Sequence, residues 1–391
     1  MDREELILIA LANAKGIGRR RLHRILADGM RVEELLDAAE KGDSTYWGEP
    51  ALSSLRETYS GNAGKMAEQC VGEGKRIAFM CEQKNIKIVT AMNDDYPARL
   101  RGITDAPILL FVKGKLPRED KPAVAIIGAR ACSAYGKAVA HSFAGELAVR
   151  GVQIISGMAR GIDGIGQESA VNAGGETFAV LGNGVDVCYP KEHRGLYDAI
   201  LTRGGLISEY FPGTEPQPAY FPERNRIISG LSDLVLVVEA RKRSGTYITV
   251  TQALEQGREV YAVPGRVTDA LSDGCNVLIK DGAGIADSVS GIMEALAGIV
   301  CHKIDTGERD AEADCRCVLK NGGARPEDGL QEILFGIIDL TPRNWNEIYR
   351  LLNERIEGGI TLPEFSATLV RMELAGLIES TGNYYVKKYD I

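Results

Sequence analysis

The chain has 391 residues, a formal net charge of −8 and 26% charged residues, which excludes a uniformly basic nucleic-acid binder: affinity for a polyanion has to come from a local patch. Eight cysteines sit without the spacing of a disulfide framework, the N-terminus MDREELILIALANAKG is acidic and then amphipathic, and no apolar run reaches about 18 residues. The expectation is a reducing, cytoplasmic protein of two or three domains with no membrane segment.

Residues 1–80 read as a small helical domain. In LANAKGIGRRRLHRIL, Gly16 and Gly18 form a tight turn between two helical patterns, followed by Arg19, Arg20 and Arg21. Helix-hairpin-helix (SAM-like) units use such a turn to offer backbone N–H groups to a nucleic-acid backbone. The alternative is a packing module with an Arg-rich solvated face. A further helical pattern from Met66 to Gln83 leads out of this domain. The apolar runs IKIVT and PILLFVKG, between Ile86 and Lys115, predict two strands added to the sheet that follows. Pro97 and Pro107 make the stretch between them a loop.

Residues 81–299 carry the repeated pattern of a doubly wound α/β domain. Strand Ala123–Ile127 leads to Gly128, Arg130 and Ser133. The next helix places Val139, Phe143 and Leu147 beside Ala140, Ala144 and Ala148, a stripe for a sheet face. Strand Val152–Ser156 leads to GMARGID, and strand Thr177–Leu181 to GNGVDVCYPKEH. Strand Leu206–Glu209 leads to the Pro-rich crossover FPGTEPQPAYFP and a helix Asn225–Leu231. Strand Leu234–Glu239, loop RKRSG, helix Thr246–Gln256 and strand Glu259–Val263 complete the series. PGRVTDALSDGCNVLIKDGAG reads as loop and turn. Short apolar runs that end in Gly and precede helical patterns predict a Rossmann-like parallel sheet, whose strand-end loops bind ligands. Residues 300–328 lack apolar periodicity and read as a linker; Cys301, His302, Cys315 and Cys317 within it do not match the spacing of common zinc sites, and no metal is expected. Residues 329–391 show three helical patterns and two short β-prone runs around Gly382, the plan of a winged-helix domain. Its third helical pattern, LPEFSATLVRMELAG, has one Arg against two Glu, a poor face for reading a groove.

No Walker lysine, dinucleotide fingerprint, nucleophile elbow or H-E-x-x-H motif appears. His193 is the sole general-base candidate in the central loops. The pattern therefore favours binding over catalysis, with no cofactor. The strand-end loops supply Arg130, Arg160, Lys191, Arg224, Arg226, Arg241, Lys242 and Arg243. Gly128, Gly157, Gly161, Gly182, Gly184 and Gly245 allow close backbone approach, and Ser133, Ser244 and Thr246 add hydroxyl donors. Tyr135, Tyr189, Tyr220 and Phe221 lie near these loops in sequence and are placed to stack bases. The bland alternative is that cations such as Arg160 and Arg226 bridge Asp163, Asp186 or Glu239 to stiffen the loops. The apolar Val277–Ile279 run is a candidate for a dimer contact.

The ordered blocks GAR, SGMARGID, AVLGNGVDVCYP, FPERNRIISGLS, VVEARKRSGT and AVPG span some 140 residues. This set resembles the DNA-processing protein A (DprA/Smf) family. The resemblance implies a Rossmann-like domain between helical and winged-helix modules, single-stranded DNA binding, loading of the recombinase RecA in natural transformation, and a homodimer. It places the family's pocket arginine at Arg130, the basic residue of the tyrosine–proline loop at Lys191, and the F-P-x-R-N-R arginines at Arg224 and Arg226. Two positions depart from the pattern: Ala129 replaces a serine, and Gln167 stands where many members carry a histidine. The rival from another class is a nucleotide phosphoribohydrolase on a related sheet, which Arg226, Ser244, Gly245 and Thr246 echo. Its P-G-G-x-G-T-x-x-E element is missing from VVEARKRSGTYITVTQALE.

Overall fold

The structure is a computed structural model that describes residues 1–14, 16–18, 22–23, 25–26, 29–305, 329–338, 343–356, 360–374, 377–381 and 384–387. Arg19, Arg20, Arg21, Cys315, Cys317, Gly382 and residues 306–328 of the expected linker lie outside the described residues. The chain divides into two compact units, Met1–Val318 and Leu319–Ile391.

The first unit opens with helix α1 (Arg3–Asn13), started by a capping box in which Asp2 accepts from the Glu5 N–H and Glu5 accepts from the Asp2 N–H. Its run Leu6–Ala12 is buried all round. That burial is possible because α1 lies directly on the long helix α2 (Ala63–Gln83): a Cβ at Gly74 would stand 2.2 Å from the Leu6 carbonyl oxygen. Other helices, among them Val32–Lys41 and Glu49–Thr58, complete this layer. Its core continues into the sheet, since Leu11, Ile86, Phe111, Leu181 and Leu206 belong to one apolar cluster.

The sheet has nine strands: β1 (Lys87–Thr90), β2 (Leu109–Gly114), β3 (Ala123–Ile127), β4 (Gln153–Ser156), β5 (Thr177–Leu181), β6 (Gly205–Ser208), β7 (Leu234–Val237), β8 (Glu259–Ala262) and β9 (Gly284–Ile285). Their order is β1-β2-β6-β5-β4-β3-β7-β8-β9. The pairs β1/β2 and β2/β6 are antiparallel, and the remainder of the sheet is parallel. Strand β3 shows why the sequence runs are continuously apolar. Its Val124 and Ile126 pack under Val139, Phe143 and Leu147 of helix α3 (Ala134–Val149), whereas Ala125 and Ile127 pack under Ile227 and Ile228 on the opposite face. After β3 the strands step outward to β6 on one side, and β7 to β9 continue on the other. The order therefore reverses between β3 and β7, where a crevice opens at the carboxyl ends.

Three boundaries differ from the sequence reading. Helix α4 (Tyr220–Gly230) starts well before Asn225, because Pro222 falls in the first turn, where the backbone N–H has no intrahelical acceptor to lose. The stretch read as loop after β8 holds a helix, Asp273–Lys280, with Cys275 and Leu278 on its buried face. Helix Val289–Asp305 continues through the expected start of the linker and carries Cys301 and His302.

The second unit has helices Gly329–Ile337, Trp345–Asn353 and Leu362–Leu374, and an antiparallel sheet in which Tyr384–Lys387 lies between Arg343–Asn344 and Ile378–Thr381. Leu334, Ile348, Leu352, Phe365, Leu369 and Met372 form its core. The second helix begins at Asn344, whose side chain accepts from the Asn346 N–H.

Candidate nucleic-acid interface

At the β3/β7 reversal the first unit has a cleft of about 680 Å³. The loop after β3 (Gly128–Ala131), the N-terminal half of α4 and the turn Ser244–Thr246 line it. Close packing fixes the first of these. A Cβ at Gly128 would lie 2.7 Å from Ile162 Cγ1, and one at Gly161 would lie 2.2 Å from the Ala129 carbonyl oxygen. Gly161 also has φ +76°, in the left-handed region that favours glycine. The loops after β3 and β4 therefore interlock through their backbones, and Arg130 projects from that junction with its side chain exposed.

Phe221 is the platform of the cleft. The Arg130 guanidinium carbon lies 5.7 Å from its ring centroid, and that of Arg224 lies 5.8 Å away. Tyr189, partly exposed, is tilted against the same ring at 5.5 Å. The two arginines differ in burial. Arg224 is 4% exposed; its Nη1 donates to the Gly157 carbonyl at 2.9 Å and to the Val180 carbonyl, while its buried Nε has no hydrogen-bond partner. Burial pulls the Arg224 guanidinium down to about 10, with Asp163 opposing the shift. Asp163 is itself buried and accepts from the Gly157 N–H at 3.1 Å; burial pushes its carboxyl up, against the Arg224 charge.

The third wall is the start of helix α5 (Thr246–Glu255). Ser244, Gly245 and Thr246 all line the cleft, a Cβ at Gly245 would meet no atom within 4 Å, and the buried Ser244 hydroxyl lacks a partner. The Tyr247 and Ile248 N–H groups donate to the Ser244 and Gly245 carbonyls, so the helix dipole, the unpaired Ser244 hydroxyl and the guanidiniums of the same lining are the features that suit an anion. Arg241 lines the same cleft, and Lys242 and Arg243 are exposed next to it in sequence.

The structure brings Gly128, Arg130, Phe221, Arg224, Arg241, Ser244, Gly245 and Thr246 together in the lining of the cleft, and the remaining expected residues are not among its lining. Ser133 caps α3 and binds Glu239 through both its N–H (2.9 Å) and its hydroxyl. Gly157 makes room for the Arg224 guanidinium, since a Cβ there would lie 2.5 Å from Nη1; Gly182 does the same for the Phe221 ring, at 3.0 Å. Gly184 packs against Asp186 and Phe211. Arg160 is exposed and paired with Glu192, and Lys191 is exposed in the adjoining turn Lys191–His193. Arg226 departs furthest from the expected groove: it is 3% exposed and bridges Glu209 (2.7 Å) and Asp105 (3.2 Å). Alternate residues of a helix point to different sides, so Arg224 and Arg226 cannot both face one cleft. His193 contacts the Met158 carbonyl through Nδ1 at 3.1 Å. Tyr135 bonds the Pro264 carbonyl, and Tyr220 packs on Tyr210. Asp163 and Asn225 are lining residues that the sequence reading did not assign to the site; the block FPERNRIISG contains the Asn225 signal.

Gln167, one of the two departures, is fully buried. Its Oε1 accepts from the Met158 N–H (2.9 Å), and its Nε2 donates to Thr177 Oγ1 and the Phe178 carbonyl. Met158 has φ +51°, costly for a residue with a side chain, and this bond helps to hold it there.

A doubly wound sheet with a cationic, aromatic-floored cleft at its topological switch point defines an α/β protein with a strand-end cleft suited to an anion. The chain belongs to a family on sequence grounds as well: residues 87–297 match the family model described as DNA recombination-mediator protein A, and the chain is a member of that family. It is 38% identical to Protein Smf of Escherichia coli (strain K12) over 307 residues, 78% of each chain. It is 45% identical to DNA processing protein DprA of Streptococcus pneumoniae (strain ATCC BAA-255 / R6) over 207 residues, 52% of this chain and 71% of that one. The X-ray structure of DNA processing protein A from Streptococcus pneumoniae superposes with a TM-score of 0.58 at 32% identity, covering 75% of this chain and 98% of that one. Among the described residues, no helix is long and apolar enough to cross a membrane.

Proposed function

We propose that this chain binds single-stranded DNA in the β3/β7 cleft and presents it to a RecA recombinase during natural transformation and recombination, as a cytoplasmic homodimer without catalytic activity. The observation that carries this reading is the convergence of Arg130, Arg224 and the Ser244–Thr246 helix start around the Phe221 ring. Cations and free amides take phosphates of any sequence, and an aromatic face takes any base, which is the pairing a sequence-tolerant single-strand binder needs. Membership in the recombination-mediator family supports the DNA-processing role. Binding is favoured over the phosphoribohydrolase alternative because Asp163, the acid among the described lining residues, is tied to the Gly157 N–H and faces Arg224. His193 is likewise engaged at Met158. We read residues 1–80 as a helix-hairpin-helix type module, 81–299 as the DNA-binding domain, 300–328 as a linker and 329–391 as a winged helix.

The test is anisotropy titration of labelled oligo-dT at two salt concentrations. Wild type is expected to lose affinity with a log–log slope of about −0.7 per phosphate neutralised, and Arg130→Ala to bind more weakly with a shallower slope. Unchanged binding by a folded Arg130→Ala protein removes the cleft from the reading.

A further inference from the structure

A second concavity, of about 320 Å³, lies at the opposite edge of the sheet. Lys115 follows β2, Lys121 precedes β3, Gly151 precedes β4, Gly174, Gly175 and Glu176 precede β5, and Thr202 and Arg203 precede β6. Three cations therefore meet one carboxylate there. Lys121 is matched, its Nζ lying 2.7 Å from Glu176. Lys115 and Arg203 are exposed and have no carboxylate partner among the described residues.

Helices α3, Ile162–Asn172 and Arg194–Arg203 all end at this edge, and a helix end repels anions wherever its last carbonyls are bare. Here several are covered. Gly151 and Val152 donate back to Ala148 and Leu147, Gly174 and Gly175 to Val171 and Ala170, and Gly204 to Ile200. The left-handed turns that allow this use Gly151 (φ +82°) and Gly174 (φ +77°), so the wall has no side chains at those positions. A Cβ at Gly151 would meet nothing within 4 Å, and one at Gly174 would meet only Arg203 Nη2, at 4.0 Å.

We propose that this concavity is a second anion site, recognising phosphate groups through Lys115 and Arg203, with Lys121 released from or shared with Glu176. Those groups come either from a nucleic-acid strand continuing past the cleft or from a free oligophosphate. The strand source rests on the single-strand reading above; the site itself does not.

The experiment uses the full chain and four forms: wild type, Arg130→Ala, Lys115→Ala/Arg203→Ala and the charge-preserving Lys115→Arg/Arg203→Lys. Calorimetric titration with pyrophosphate is expected to show a binding event that persists in Arg130→Ala, is weakened at least about tenfold in the alanine pair, where only binding at the cleft remains, and is retained in the charge-preserving pair, an electrostatic signature. Oligo-dT just long enough for the cleft is expected to bind the alanine pair as it binds wild type. If a strand is the occupant, an oligo-dT several times longer shows a salt slope shallower by about 1.4, two phosphates' worth. If only pyrophosphate binding falls, the occupant is a free oligophosphate. Pyrophosphate and long-oligo binding both unchanged in a folded alanine pair overturns the proposal. Failure of every form to bind oligo-dT overturns the single-strand reading and leaves the pyrophosphate result to decide this site.

Discussion

Arg130 and Arg224 flank one phenyl ring at nearly equal distance, yet their environments assign them different work. Arg130 is exposed and its guanidinium lies against the Phe221 ring, so replacing it by alanine is expected to change stability by no more than about 0.5 kcal/mol, while phosphate affinity falls. Arg224 is buried, bonds two strand-end carbonyls and supplies the charge that faces Asp163. Arg224→Ala leaves Asp163 buried without that charge and leaves the Gly157 and Val180 carbonyls short of a donor. The expected cost is about 3–5 kcal/mol, read as a drop in the urea midpoint. If Arg224→Ala unfolds at the wild-type midpoint, the guanidinium is not the strut that joins β4, β5 and α4. The sequence carried no cue to this division, because both residues read alike as cations of the strand-end loops. Burial is what separates them.

At the scale of elements, the short apolar runs identified six strands closely, β3 to β8, and the two added runs before Ala123 became β1 and β2, while the two-residue β9 had no signal of its own. They were legible because both faces of the sheet are covered, so the central strands β3 (AVAII) and β7 (LVLV) read as uninterrupted apolar blocks and their neighbours as nearly so. The helix Asp273–Lys280 was hidden by flanking Gly and Asp residues, and by a buried face of Cys275 and Leu278 too short to show a period. The cleft was legible as a set of loops on one edge, but not in its membership. Arg226 was lost to a buried ion pair two residues from Arg224, and Asp163 was gained. Loop-to-loop pairing is equally invisible in sequence. Arg160, after β4, is held by Glu192 in the turn after β5, so one of the exposed rim cations is already neutralised by the protein itself. On the single-strand reading, a phosphate that reaches Arg160, next to the lining residue Ala159, has to displace that carboxylate. Glu192→Gln is therefore expected to tighten oligo-dT binding a few-fold and steepen the salt slope, and the gain is expected to vanish in Glu192→Gln/Arg160→Ala. Anisotropy on the four proteins of that cycle decides the matter: equal cost of Arg160→Ala in both backgrounds means that Glu192 does not attenuate the rim.

For the whole molecule, every lining residue of the cleft and of the second concavity falls within Met1–Val318, and the apolar clusters beneath them draw on the same unit. The unit Leu319–Ile391 has its own core around Phe365, Ile348 and Leu369. A chain ending at Val318 is thus expected to keep its α/β circular-dichroism spectrum and to bind short oligo-dT within about twofold of the full chain, since neither cations nor platform are removed. The acidic balance of the protein makes this a sharp comparison. With a net charge of −8 the long-range field repels DNA, so binding must come from contacts inside a Debye length of the cleft, about 8 Å at physiological salt. A truncated chain that keeps its fold but loses tenfold or more in affinity for the short oligonucleotide places essential strand contacts in the second unit, and the cleft alone no longer accounts for binding.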